Sequence, residues 1–232
     1  QTVIVSPFYF VSSLFNVPRA SLYTLVYANS NSDELSQLKK ENVKLREQLQ
    51  ELHTIKKDNI ALRSQFEDTT IPSTTLLPAR IVGFKGSPQN PTSFILDQGT
   101  NSGIVKDMPV IVGKQLVGKI TDVNPYFSEV MLVTHKNFST ISESENHKSP
   151  GIIQGFDEFI LFDHIVITDT ISKNENVITK GELDKNGVGI PPGFIIGKIK
   201  KVNKSDTNPF QNATVQSLLD FNSLSIVFVI KQ

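Results

Sequence analysis

Leu116-Val117-Gly118-Lys119-Ile120-Thr121-Asp122-Val123 and Ile195-Ile196-Gly197-Lys198-Ile199-Lys200-Lys201-Val202 are two versions of one octet, offset by 79 positions (195 less 116). Each reads as a β-strand carrying a glycine that tightens a hairpin or a bulge. Further on, Val130 to Ile141 aligns with Val215 to Ile226 at an offset of 85 (215 less 130), matching Asn137 with Asn222. An insertion around Ser205 to Phe210 reconciles the two offsets. Two matching segments in the same order indicate a duplication. Each copy then holds a strand, the glycine, a second strand, a loop and two further strands. The sequence therefore predicts two related small β-barrels, over residues 75–150 and 151–232, with Gly118 and Gly197 in equivalent places as structural turn glycines.

The surrounding residues support an all-β half. All 13 Gly lie at or beyond Gly83. Between clusters of Gly, Asn, Asp and Pro stand short β-branched runs such as Ala79–Val82, Ser93–Leu96, Pro109–Val112 and Ser225–Ile230. Such spacing is the mark of barrels and sandwiches.

Residues 33–68 are of another kind: 15 of the 36 are charged, and none is Gly or Pro. Leu35, Asn42 and Leu49 fall at heptad position a, and Leu38, Leu45 and Leu52 at d, which predicts a coiled-coil dimerisation helix. Ile55, Asn59, Leu62 and Phe66 keep the three-four rhythm in a shifted frame, as a stammer makes it. Asn at an a position favours an in-register pair, and in a parallel dimer Glu34 faces Lys39 of the second copy while Glu41 faces Arg46. Ser32 or Asp33 is the expected N-cap, and Pro72 stops the helix.

Residues 1–32 carry one charge, Arg19, among many apolar and aromatic side chains, with Pro7 and Pro18 as breaks. The basic start of a signal peptide is missing. Two readings stand: an apolar helix that packs on a partner or itself, or a membrane-proximal stub at headgroup level. A chain opening at Gln1 rather than Met is expected to be a processed or trimmed product.

Charge and chemistry narrow the function. The 232 residues hold 23 basic and 23 acidic side chains, so no electrostatic case exists for binding nucleic acid. With no Cys, thiolate chemistry is excluded. His53 falls on a solvent-facing heptad position and His147 in a polar loop, while His135 and His164 follow apolar runs. No Ser lies in a Gly-Asp-Ser-Gly or Gly-x-Ser-x-Gly context; the nearest stretch is Gly155-Phe156-Asp157-Glu158. Gly187-Val188-Gly189 reads as a turn, not a phosphate cradle. Asp157, Glu158 and Asp163 read as a solvated strand face, and Lys198, Lys200, Lys201 and Lys204 as a charged outer face. The chain is read as having no catalytic residue, no cofactor and no metal.

The order of stub, short coiled coil and two β-domains resembles MreC, the rod shape-determining family of bacteria. The segments carrying the likeness are Lys40-Glu41-Asn42-Val43-Lys44-Leu45-Arg46, Ala79-Arg80-Ile81-Val82-Gly83, Leu96-Asp97-Gln98-Gly99, Met108-Pro109-Val110-Ile111 and Leu116–Ile120. They continue with Val177-Ile178-Thr179-Lys180-Gly181 and Ile190-Pro191-Pro192-Gly193-Phe194. Two places depart: Asn174-Glu175 stands where the family has Gly-Asp, and Lys180 where it has Ser. The resemblance implies a non-enzymatic, membrane-anchored, extracytoplasmic (periplasmic) scaffold of the cell-wall elongation machinery that controls rod shape. It implies a homodimer that extends to a filament or does not, and an N-terminal membrane anchor ahead of residue 1. The implied partners are the elongation-specific penicillin-binding transpeptidase, MreD and, indirectly, MreB. The alternative is a trypsin-like double β-barrel hydrolase or a wall-binding module with a divergent site. A serine-reactive probe would mark the hydrolase, and the absence of Trp weighs against sugar stacking.

Overall fold

The computed structural model describes residues 19–68, 76–87, 89–205 and 207–231, with helix side chains described at 35–60 and 62. The chain divides between Lys56 and Lys57 into two units. One helix, α1 (Arg19–Asp68, 50 residues), runs across the expected start at Ser32 or Asp33. The physical reason lies in the sequence: from Ala20 to Ile71 there is neither Gly nor Pro, and an N-cap residue inside a helix-competent stretch does not break it. Residues 1–18 of the expected stub lie outside the described residues.

Within the second unit, six strands close a first barrel: β1 (Leu76–Gly86), β2 (Pro91–Leu96), β3 (Pro109–Val112), β4 (Gln115–Val123), β5 (Ser128–Leu132) and, from the far end of the sequence, β14 (Ile226–Ile230). Their order around the barrel is β4-β3-β14-β1-β2-β5, and β5 pairs back onto β4. A second barrel holds β6 (Ser139–Ser144), β7 (Pro150–Gly155), β8 (Ile160–Val166), β9 (Asn176–Thr179), β12 (Ile195–Asn203) and β13 (Phe210–Gln216). Its order is β12-β9-β6-β7-β8-β13, closed by β13 on β12. A small hairpin, β10 (Glu182–Leu183) with β11 (Gly189–Ile190), forms a sheet of its own, with Ile190 buried in a core cluster. Closure removes exposed strand edges.

The two barrels repeat each other down to their irregularities. β4 bulges at Val117 against β3, and β12 bulges at Ile196 against β9. β4 bulges again at Thr121 against β5, and β12 at Lys200 against β13. Both pairs of bulges are related by the offset found in the octets. Bulges re-aim a strand and raise its twist, so matched bulges place matched corners in the two barrels.

The sequence repeats and the barrels do not have the same members. In the alignment, β6 answers to β14, yet β6 sits in the barrel of β7–β13 and β14 in the barrel of β1–β5. Each repeat lends its last strand to the other barrel. A boundary at 150/151 therefore separates the repeats, while the barrels share strands across it. The exchange explains the unbroken apolar run Ile226-Val227-Phe228-Val229-Ile230, in which every residue is buried. Successive side chains of a strand face opposite ways. Val227 and Val229 join Leu96, Val110 and Ile120 in one core cluster; Ile226, Phe228 and Ile230 join Phe162, Ile199 and Val215 in the other. One strand thus serves both cores.

The C-terminal turns of α1 belong to this unit. Leu62 packs half-buried against the larger cluster. Asp58 accepts hydrogen bonds from the Arg80 guanidinium at 3.2 Å and the Ser225 hydroxyl at 3.3 Å.

Candidate interaction surfaces

The expected seam residues divide between Asn59 and Leu62. Leu35, Leu38, Leu45, Leu49, Leu52 and Ile55 are 51–65% exposed, and Asn42 and Asn59 are exposed as well. Together they form an exposed apolar stripe on a helix with charged flanks. Leu62, by contrast, is spent on the chain's own core. Phe66 is in the helix, its side chain outside the described residues. No helix among the described residues is long and apolar enough to cross a membrane.

Gly118 and Gly197 lie inside β4 and β12 rather than in turns. A Cβ on Gly118 would run into the backbone carbonyl of Met131, and one on Gly197 into that of Gln216. Met131 and Gln216 correspond at the offset of 85, so the same close approach occurs at the same place in both barrels.

A polar centre that sequence reading missed surrounds Glu175. Its side chain has no exposed surface. One carboxylate oxygen accepts the N–H groups of Asn146, at 2.8 Å, and His147, at 3.1 Å; the other accepts the N–H of Ser172 at 3.0 Å. The His147 ring nitrogen Nδ1 lies 3.0 Å from the second oxygen. Burial pushes the carboxyl pKa up, but the imidazole and the three backbone donors outweigh it and hold Glu175 below the ordinary carboxylate value. Asn174 beside it takes the left-handed conformation, φ 68°, which Asn tolerates better than most side chains.

The remaining candidate groups are dispersed. His135 Nδ1 accepts the Asn137 N–H at 3.0 Å, and His53 is exposed on α1. His164 pairs with Asp163 at 3.3 Å and lies tilted on Phe210. Among the described residues, no three His, Asp or Glu side chains are grouped as metal ligands. Lys198, Lys200, Lys201 and Lys204 are all exposed. The described surface includes an uncovered leucine stripe on α1 and the outer faces of two closed barrels.

Residues 81–231, from within β1 to the end of β14, match the family described as rod shape-determining protein MreC, barrel core. The chain belongs to the MreC family. The cell shape-determining protein MreC of Listeria monocytogenes is 27% identical over 154 residues, covering 62% of this chain and 51% of that protein. The chain thus spans about half the length of this curated relative. A solved structure of Listeria MreC is 24% identical, covers 88% of this chain and 94% of its own, and superposes with a TM-score of 0.60. MreC in a complex with penicillin-binding protein PBP2 from Helicobacter pylori is 17% identical, covers 68% and 98% of the two chains, and gives a TM-score of 0.54. These likenesses establish the fold as the family's: mainly β, one N-terminal helix, barrels related by an internal repeat.

Proposed function

We propose that this chain is a non-enzymatic scaffold of bacterial cell-wall elongation, working outside the cytoplasm and anchored to the membrane by a segment ahead of residue 1. The observation that carries the reading is the match of residues 81–231 to the MreC barrel core, a family named for shape determination. The related Helicobacter MreC was solved with PBP2, and by analogy the barrels here hold a penicillin-binding transpeptidase, with MreD and MreB as membrane and indirect partners. Dimerisation runs through the exposed stripe of Leu35, Leu38, Leu45, Leu49, Leu52 and Ile55, with Asn42 setting register. Two copies of each β surface then let weak contacts to a clustered partner add through effective concentration.

The test pairs oligomeric state with binding. Leu45→Asp with Leu52→Asp places unpaired charges in the seam, at several kcal/mol per ion. The expected result is a monomer by light scattering that holds the transpeptidase ectodomain more weakly than the parent does. A double mutant as dimeric as the parent removes the helix from the interface. No detectable binding by the parent dimer, or normal rod shape in cells lacking the protein, removes the scaffold.

A further inference from the structure

A groove of about 420 Å³ opens where the chain passes from one barrel to the other. The crossover from β13 to β14 forms one wall, the turn between β7 and β8 another, and the turn between β1 and β2 a third. Its volume is in the range of sites that enclose a ligand.

The groove has a definite character. Asp157, Glu158 and Asp220 line it against a single cation, Lys200. Among the described residues none of the three carboxylates is in an ion pair. Asp157 is fixed in the left-handed region, φ 59°, by its N–H donating to the Thr134 carbonyl at 2.7 Å. Asp220 is fixed by accepting the Asn222 N–H at 3.1 Å. Beside them, Phe159 stays 41% exposed while stacked on Phe156, centroids 5.3 Å apart and planes 4° from parallel. Leu219 adds apolar surface from the crossover. Carboxylates gathered beside apolar walls focus negative potential into a concave site.

We infer that this groove docks a segment of a partner protein in which Lys or Arg stands next to an aliphatic side chain. The cation meets the three carboxylates and the aliphatic group meets Phe159 and Leu219. Neutral sugar hydroxyls would leave the excess charge unmatched, which favours a basic peptide over a glycan strand. The inference rests on the scaffold reading, since it names a surface through which the β-half holds a protein.

The test uses the full chain and a blocked pentapeptide, Leu-Arg-Val-Lys-Leu, beside its Leu-Glu-Val-Glu-Leu counterpart and a neutral chito-oligosaccharide. Amide shifts are followed by NMR during titration. The basic peptide is expected to shift the groove amides saturably, and Asp157→Asn with Glu158→Gln and Asp220→Asn to weaken it at least about tenfold. Lys200→Glu is expected to tighten it about threefold. All four positions are exposed, and unchanged thermal melts show that the variants fold. Absence of groove shifts, equal binding of the acidic peptide, or saturable shifts with the sugar in place of the peptide overturns the proposal. Capture of the transpeptidase ectodomain by the parent chain is scored separately: it judges the scaffold reading whatever the peptides do.

Discussion

Asp107-Met108 in the first barrel and Asn174-Glu175 in the second hold the same place before β3 and β9. Asp107 and Asn174 are both left-handed, with φ of 66° and 68°. Each donates its N–H to the matching isoleucine carbonyl, Ile120 or Ile199, at 2.8 Å; those isoleucines return a bond to the Met108 or Glu175 carbonyl at 2.9 Å. Even the side-chain contact repeats: the Met108 sulfur accepts the Val105 N–H at 3.4 Å, and the Glu175 carboxylate accepts the Ser172 N–H, three residues back in both cases. Both residues are buried. One is a thioether, the other an ion. The difference shows that the backbone of this corner admits either, provided the neighbours suit it. Glu175 has the turn at Asn146 and His147 to supply extra donors, and in return it ties that turn to β9.

Three perturbations test the equivalence of the barrels. The largest effect is expected from deleting residues 225–232, which removes β14. Hydrogen exchange should then lose protection throughout β1–β5, although every one of those strands remains in the chain. Protection kept there would mean that the first barrel closes with five strands and that the exchange is incidental. Next, Gly118→Ala and Gly197→Ala should each destabilise by about 3 kcal/mol, because the obstacle is backbone and cannot swing aside. Urea unfolding of the pair measures this, and tolerance of one but not the other would break the correspondence. The smallest effect belongs to the corner itself. Glu175→Gln should cost about 2 kcal/mol near neutral pH, and Met108→Leu, which conserves volume, less than about 1.5 kcal/mol. The sign with pH follows from the lowered carboxyl. Its contribution is fully present above the unfolded-state value of about 4.3 and is lost as pH falls toward the lower folded-state value. The acid side of the stability profile should therefore flatten in Glu175→Gln and remain in Met108→Leu.

Much of this architecture was legible in the residues. The heptad from Leu35 to Leu52 announced the helix, but its loss of phase near Leu52 to Ile55 does not end the uncovered stripe: Ile55 and Asn59 stay exposed, and Leu62 is the seam position that packs on its own chain. The helix start was misplaced because capping signals at Ser32 and Asp33 are weak beside a long stretch free of breakers. The two octets revealed the duplication, since strand period and glycine placement are local properties. Which barrel a strand completes is not local: nothing in Ile226–Ile230 says that its partners are β1 and β3, beyond the hint that a strand apolar on both faces must be covered twice. Glu175 was read only as a departure from the family's turn, because its donors at Asn146 and His147 are far off in sequence. The signal available was an acidic residue set two positions before the apolar pair Val177-Ile178. The groove, likewise, is lined by residues far apart in sequence, from Gln89 to Asn222. Asp157 and Glu158 were assigned to a strand face, whereas the structure puts them in the turn after β7, beside a crossover that sequence adjacency does not reveal.

The lending of last strands also orders events in time. Strand β14 leaves the ribosome after every other strand of the two barrels, and the strand it pairs with, β1, is the first of the β-half to appear. Register joins Leu76 to Ile230 and Arg80 to Ile226, contacts of very high sequence separation that form slowly. The second barrel has all six of its strands once β13 has emerged, while the first still lacks one. A chain cut between β13 and β14, by a stalled ribosome or by a protease, would therefore forfeit its earliest-made barrel, not its latest. Synthesis through Ile230 is a condition for the whole β-half to mature, and copies lacking β14 identify themselves by an open barrel.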